Sequence, residues 1–210
     1  MKKLFGRIIS GLMAVCLVGA ACACRQTYPE PVNGAALEAL RAEYPCAAEN
    51  EQISMGVPSS IKEVFESQNP RLAAVVLSVT GEATTQNVYL PDTVDGHTLT
   101  FTTYYYPAHI DSVLYQPDGV SLNSDIIYAA GSAYHEQFRP GKKYVVFLVP
   151  ETDAETNEAV ENTYRSYLPE NYYLTENDVL MSMMDVYPVF AKYSGWNVNA
   201  FKAELNQLVK

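Results

Sequence analysis

The residues of this chain with the most chemistry to offer are three histidines, four cysteines and one stretch of alternating acids. His97, His109 and His135 lie far apart and show no His-x-x-x-His spacing on a helix, so a metal site would need tertiary convergence. Solvated surface histidines are the simpler expectation. Asp153-x-Glu155-x-Asn157 has the alternating oxygen ligands that open a calcium loop. However, Glu158 stands where such a loop turns on glycine, and Tyr164 where it closes on a bidentate acid, so a solvated acidic loop is expected instead. Cys46 could serve as a nucleophile, but Pro45 and Ala47-Ala48 around it carry no supporting motif. Gly-x-Ser-x-Gly, the phosphate loop and His-Glu-x-x-His are all missing from the chain. No catalytic residue, metal ligand or cofactor is therefore assigned. A hydrolase would have to assemble its site in the tertiary structure from His109, Asp111 or His135.

The remaining cysteines bear on destination. Lys2, Lys3 and Arg7 precede an apolar core, Ile8 to Ala21, that is shorter than the roughly 20 residues a membrane span needs. Small residues follow it, as at a signal-peptide cleavage site. Residues 1–23 are expected to be an export signal, either of the bacterial lipoprotein type or ordinary. Gly19, Ala20 and Ala21 lead into Cys22, which makes Cys22 the expected lipidation site; Ala21-x-Ala23 would suit an ordinary signal peptidase and plain secretion. A diacylated cysteine would hold the chain at a membrane surface through its acyl chains alone. Cys24 and Cys46 would then share an oxidising compartment, where they could form a disulfide or stay idle.

Charge narrows the partners. The chain holds 14 Lys and Arg against 24 Asp and Glu, and three of those cations sit in the expected signal. So negative a field repels phosphate backbones, which excludes nucleic acid as a partner. Sixteen tyrosines stand against one tryptophan, a bias that suits a strand-rich fold. Tyr104, Tyr106 and Trp196 are the aromatic candidates for a ligand surface; packing in the domain interior is the plainer reading of each.

The elements that must position these residues centre on residues 137–150, QFRPGKKYVVFLVP. Arg139-Pro140-Gly141-Lys142 has proline second and glycine third, which suits a type II turn. Tyr144 to Val149 then runs without a polar residue, as expected of a strand buried on both faces. Tyr144, Val146 and Leu148 share one face, expected to point inward. Val145, Phe147 and Val149 share the other, which something must cover. The terminal amphipathic stretch with Phe201, Leu205 and Leu208 is the best candidate, helped by Ile61, Val64 and Phe65. Ser60-Ile61-Lys62-Glu63 is a capping box opening a helix over about 60–68.

Leu72 to Thr80 reads as a second buried strand closed at Gly81. Gln86–Leu90, Thr98–Tyr106, Ile110–Tyr115 and Asp125–Ala129 read as further strands, with Pro107 ending or edging the second of them. Tyr172–Leu174 and Val179–Met181 form an expected hairpin, and Glu151–Asn162 an exposed loop or short helix. Upstream, Leu37, Leu40 and Tyr44 mark a short helix inside a proline-broken tether over 24–58. The domain itself is expected to span 59–210 and to fold without the tether.

This order resembles small extracytoplasmic bacterial proteins with a five-stranded OB-like barrel, of the type shared with netrin-like and metalloproteinase-inhibitor domains. The matching segments are 73–81 (AAVVLSVTG), 124–127 (SDII) and 138–148 (FRPGKKYVVFL), and the resemblance covers roughly 61–209. It implies a mainly β fold with flanking helices at about 60–68 and 198–209. No catalytic signature comes with it. The expected function is a non-catalytic cell-surface lipoprotein binding a peptide, glycan or partner protein; the alternative is an extracytoplasmic hydrolase.

Overall fold

The computed structural model describes residues 27–47, 60–65, 71–91, 98–131, 136–153, 156, 158–166, 171–184 and 188–209, with backbone only at 88–91 and 98–101. The strands are β1 (Ala73–Val79), β2 (Thr84–Pro91), β3 (Thr98–Tyr115), β4 (Asp125–Gly131), β5 (Lys143–Thr152), β6 (Ala159–Ser166), β7 (Tyr172–Leu174) and β8 (Leu180–Ser182). The helices are α1 (Gly34–Glu43), α2 (Ile61–Glu63), α3 (Pro188–Ala191) and α4 (Val198–Leu208).

Five strands close into a ring. β1 pairs antiparallel with β3 and β5, β3 with β4, and β5 with β6. A short parallel pairing of β4 with β6 completes the circuit. β2 lies on the first half of β3, and the β7–β8 hairpin extends from the start of β5.

The period-two alternation of the strands sorts their apolar residues into two cores. Val75, Leu77 and Val79 of β1 point inside the ring with Tyr106, Ala108 and Ile110 of β3. Ile126, Tyr128 and Ala130 of β4 join them, as do Tyr144, Val146 and Leu148 of β5. The opposite faces carry Ala74, Val76, Val145, Phe147 and Val149, which belong to a second cluster with Ile61, Val64, Phe65, Phe190, Phe201 and Leu205. Phe147 is fully buried there, with the Phe65 ring 5.9 Å away and the Phe190 ring 5.8 Å away. Both faces of β5 are thus covered as its composition requires. The mainly β architecture with flanking helices agrees with the sequence reading.

Three local expectations need correction. Pro107 does not end its strand: β3 runs through it for 18 residues. The reason is that β1 and β2 both lie on one edge of β3 and leave a gap between them. Pro107 sits opposite that gap, where the Thr80 amide donates to its carbonyl at 2.8 Å, so the amide hydrogen it lacks is not needed for a ladder bond. Its ring lies where a β-carbon at Gly81 would meet it at 3.0 Å, so glycine fits that spot.

The expected loop 151–162 is strand at both ends, since β5 continues to Thr152 and β6 begins at Ala159. Only Thr163 and Tyr164 of β6 are buried, which is too short an apolar signal to announce a strand. The helix expected over about 60–68 is described only to residue 65. Ser60 caps α2 by accepting from the Glu63 amide at 3.1 Å.

Residues 27–47 lie against the body instead of leading away from it. The Val32 amide donates to Gly195 O at 2.8 Å, and the Ala47 amide to Met183 O at 2.7 Å. Leu37, Leu40 and Tyr44, the stripe of α1, pack half-buried on the inner cluster. Residues 48–59 lie outside the described residues.

Candidate functional site

A cavity of about 530 Å³ opens where the leading segment meets the ring. Three elements build it: the end of α1 and the residues after it (Glu43 to Cys46), the loop before β5 (Glu136 to Lys142), and the start of β5 with the facing end of β7.

The loop is anchored from below. Phe138 is buried in the inner core, with ring centroids 4.7 Å from Tyr144, 5.1 Å from Tyr128 and 5.5 Å from Tyr106. The Tyr144 hydroxyl donates to Gln137 O at 2.7 Å and accepts from the Arg139 amide at 2.8 Å, tying both ends of one short segment. Gly141 takes φ +77° at the third turn position, as the type II turn demands. Its amide donates to Val79 O at 2.8 Å, and Lys142 O accepts from the Val79 amide at 3.2 Å. The backbone is fixed, so the Arg139 and Lys142 side chains extend from a rigid support.

The other wall comes from the leading segment. Arg41 donates to Tyr44 O at 3.1 Å and to Ser182 O at 2.6 Å, fastening the C-terminal end of α1 to β8. The Tyr173 hydroxyl donates to Pro45 O at 3.0 Å, and the Tyr44 and Tyr173 rings sit 5.5 Å apart. Burial raises the Tyr173 phenol well above its ordinary value, despite the opposing charges of Arg139 and Arg41. Burial likewise pushes Tyr144 up to about 12. Both phenols are therefore neutral at pH 7 and act as hydrogen-bond donors.

The lining is unusual for so acidic a chain. Arg139, Lys142 and Lys143 stand around the cavity with Glu43 and Glu136, so cations outnumber acids locally. Lys143 also reaches Asp111, 3.5 Å away. Tyr144 and Tyr173 are buried and Tyr44 half-buried, so the exposed cations are what this concavity chiefly offers a small polar ligand.

The sequence-derived candidates fall elsewhere, with one exception. Cys46 is exposed and lines this cavity. Tyr106 is buried in the inner core and Tyr104 packs partly against it, while Trp196 packs on the outer cluster beside Tyr193. Those three aromatics therefore do not share a surface. His109 meets Asp125 at 2.8 Å, and Asp111 accepts from the Ser78 hydroxyl at 2.5 Å, across neighbouring strands on the solvent-facing side. Asp153 accepts from the Thr156 amide at 2.9 Å and closes a turn. Cys22, Cys24, His97, His135, Glu155 and Asn157 lie outside the described residues. Among the described residues, no group of three or more His, Cys, Asp and Glu is placed to hold a metal ion, and no helix is long and apolar enough to cross a membrane.

Sequence reasoning missed Tyr44, Gln137, Tyr173 and the three cations as a group. The turn motif marks Arg139 and Lys142 for their backbone only, and in the sequence Tyr44 is simply the last position of a helical stripe. These features together define a mainly β protein with a strand ring and a polar, tyrosine-walled cavity at one side. No family model, no curated protein and no solved structure matches the chain.

Proposed function

We propose that this chain is an exported, non-catalytic binding protein, held at a bacterial membrane surface by lipid on Cys22, or else secreted. Its ring is read as an OB-like barrel related in type to netrin-like and metalloproteinase-inhibitor domains. The ligand, a glycan, a peptide or a segment of a partner protein, occupies the cavity between α1 and the start of β5. The observation that carries this reading is the cavity of about 530 Å³ with Tyr44, Tyr144 and Tyr173 on its walls. Its size lies within the range of small-ligand sites. Glycan and peptide arrays probed with the mature protein test it. A defined set of ligands should bind, and Tyr44→Ala should abolish that binding while leaving the fold intact. Binding that survives Tyr44→Ala unchanged would place the ligand elsewhere.

A second reading, the extracytoplasmic hydrolase, draws on the His109–Asp125 pair. It is weaker because Ser78, paired in register with His109, gives its hydrogen to Asp111 and not to the imidazole. The pair also stands away from the cavity lining. Ester or glycoside turnover lost in His109→Ala would favour it.

A further inference from the structure

We infer that two copies of this chain pair through β2, strand against strand about a two-fold axis, so that their sheets become continuous. The inference is independent of the cavity. It starts from the two places where the sheet ends. At one of them β8 is covered: the Leu180 amide donates to Trp196 O and the Gly195 amide to Leu180 O, both at 2.8 Å, and the Ser182 amide donates to the Ser194 hydroxyl at 3.1 Å. The turn between α3 and α4 thus takes up groups that β8 turns away from β7. At the other, β2 pairs with β3 alone among the described residues. Every second residue of an antiparallel pair points its N–H and C=O away from the partner strand. The eight residues of β2 therefore present an outward row of donors and acceptors, a template for another strand.

β2 also lacks the devices that keep such edges apart. Its pairing with β3 runs from Thr84↔Tyr105 to Pro91↔Thr98 without a register shift, whereas the β1–β3 and β5–β6 ladders are both interrupted by shifts. No lysine or other charged residue occurs from Ala83 to Pro91, and proline stands only at the last position of the strand. Thr84, Thr85, Gln86 and Asn87 are all exposed. The edge is nonetheless tied to its neighbour, since Asn87 Oδ1 accepts from the Thr102 hydroxyl at 2.9 Å and Gln86 Oε1 from the Tyr105 hydroxyl at 3.2 Å.

Charge selects the occupant. Each copy carries a formal net charge of −10, so two copies repel over most approaches. β2 laid antiparallel on itself brings together two stretches that hold no charged residue. A two-fold pairing also matches the same donors and acceptors on both copies and closes on itself, leaving neither β2 edge open. One short seam is a small interface, so the dimer is weak and forms at high protein concentration.

The test is analytical ultracentrifugation of the mature chain, its thiols kept reduced, over a wide range of protein concentration at low and high salt. A monomer–dimer equilibrium is expected that strengthens with salt, because salt screens the repulsion between copies. Hydrogen exchange of the β2 amides should slow as the dimer forms. Thr85→Lys with Asn87→Lys, two cations on one face of the edge, should weaken the dimer at least tenfold with unaltered circular dichroism. Asn199→Lys with Gln207→Lys, the same gain of charge at exposed positions of α4, should not weaken it. Both pairs reduce the net negative charge, so general repulsion cannot account for a loss confined to the first. A monomer at every concentration and salt would overturn the inference. So would a dimer whose β2 amides exchange as in the monomer, or one that survives the Thr85 and Asn87 pair. Growth beyond the dimer with rising concentration would overturn the two-fold pairing.

Discussion

The Val32 amide donates to the carbonyl of Gly195 at 2.8 Å, and Gly195 stands at φ +87° with its α-carbon turned toward the carbonyl of Val32. A β-carbon at Gly195 would overlap that oxygen. The contact joins the first described residues to the turn between α3 and α4, so the leading segment is fastened at both of its described ends. Gly195→Ala carries two penalties, a left-handed backbone that costs about 1–2 kcal/mol without glycine and the displacement of Val32. Limited proteolysis should then cut faster between residues 27 and 47. Unchanged cleavage there would show that the contact does not hold the segment.

Phe147 makes the sharpest stability prediction. Its ring is fully buried under α2, α3 and α4, so Phe147→Ala should cost about 3–5 kcal/mol in urea unfolding, from lost transfer energy and the cavity left behind. Leu148→Ala, on the inner face, should cost about 2–5 kcal/mol. Val160→Ser, on an exposed stretch of β6, should change stability by no more than about 0.5 kcal/mol. Similar small losses at all three positions would mean that β5 is not buried on both faces.

This two-faced burial of β5 was legible because Tyr144 to Val149 contains no polar residue, and strand geometry then assigns alternate side chains to opposite sides. The same logic found β1 and the β7–β8 hairpin. It failed at β6, where Glu161, Asn162 and Arg165 are solvated and only two residues face the core. It failed also at Pro107, because a gap between β1 and β2 exists only once the ring has closed. The cavity was not legible at all. Tyr44, Gln137 and Tyr173 are brought together by the docking of α1, and no local pattern of residues encodes that approach.

Alkaline pH should unfold the protein through its buried tyrosines. In the unfolded chain phenols ionise near pH 10, whereas Tyr106 and Tyr144 hold their protons to about 12, mainly because burial disfavours the phenolate. Tyr128, Tyr173 and Tyr193 are raised further for the same reason. Between those limits the native state binds more protons than the unfolded one, so stability is full below about pH 10 and falls as pH rises toward 12. Phenolate absorbance should show these five rings ionising together with the loss of far-UV circular dichroism. Ionisation of all sixteen tyrosines ahead of that loss would contradict the burial described.

Lipid attachment is checked by metabolic labelling with a fatty-acid analogue. Label is expected on the wild-type chain and should vanish in Cys22→Ser. Label retained in that variant would move the site to another residue, and an unlabelled wild type would favour plain secretion.

The cavity exists only if the leading segment docks on the ring, so the unfolding midpoint of the mature chain should be compared with that of a chain beginning at residue 59. Partial burial of Leu37, Leu40 and Tyr44 is worth about 3 kcal/mol in area terms. The shortened chain should then melt about 5–10 °C lower, with one cooperative transition in each protein. Equal midpoints would contradict the docking, and with it the ligand site.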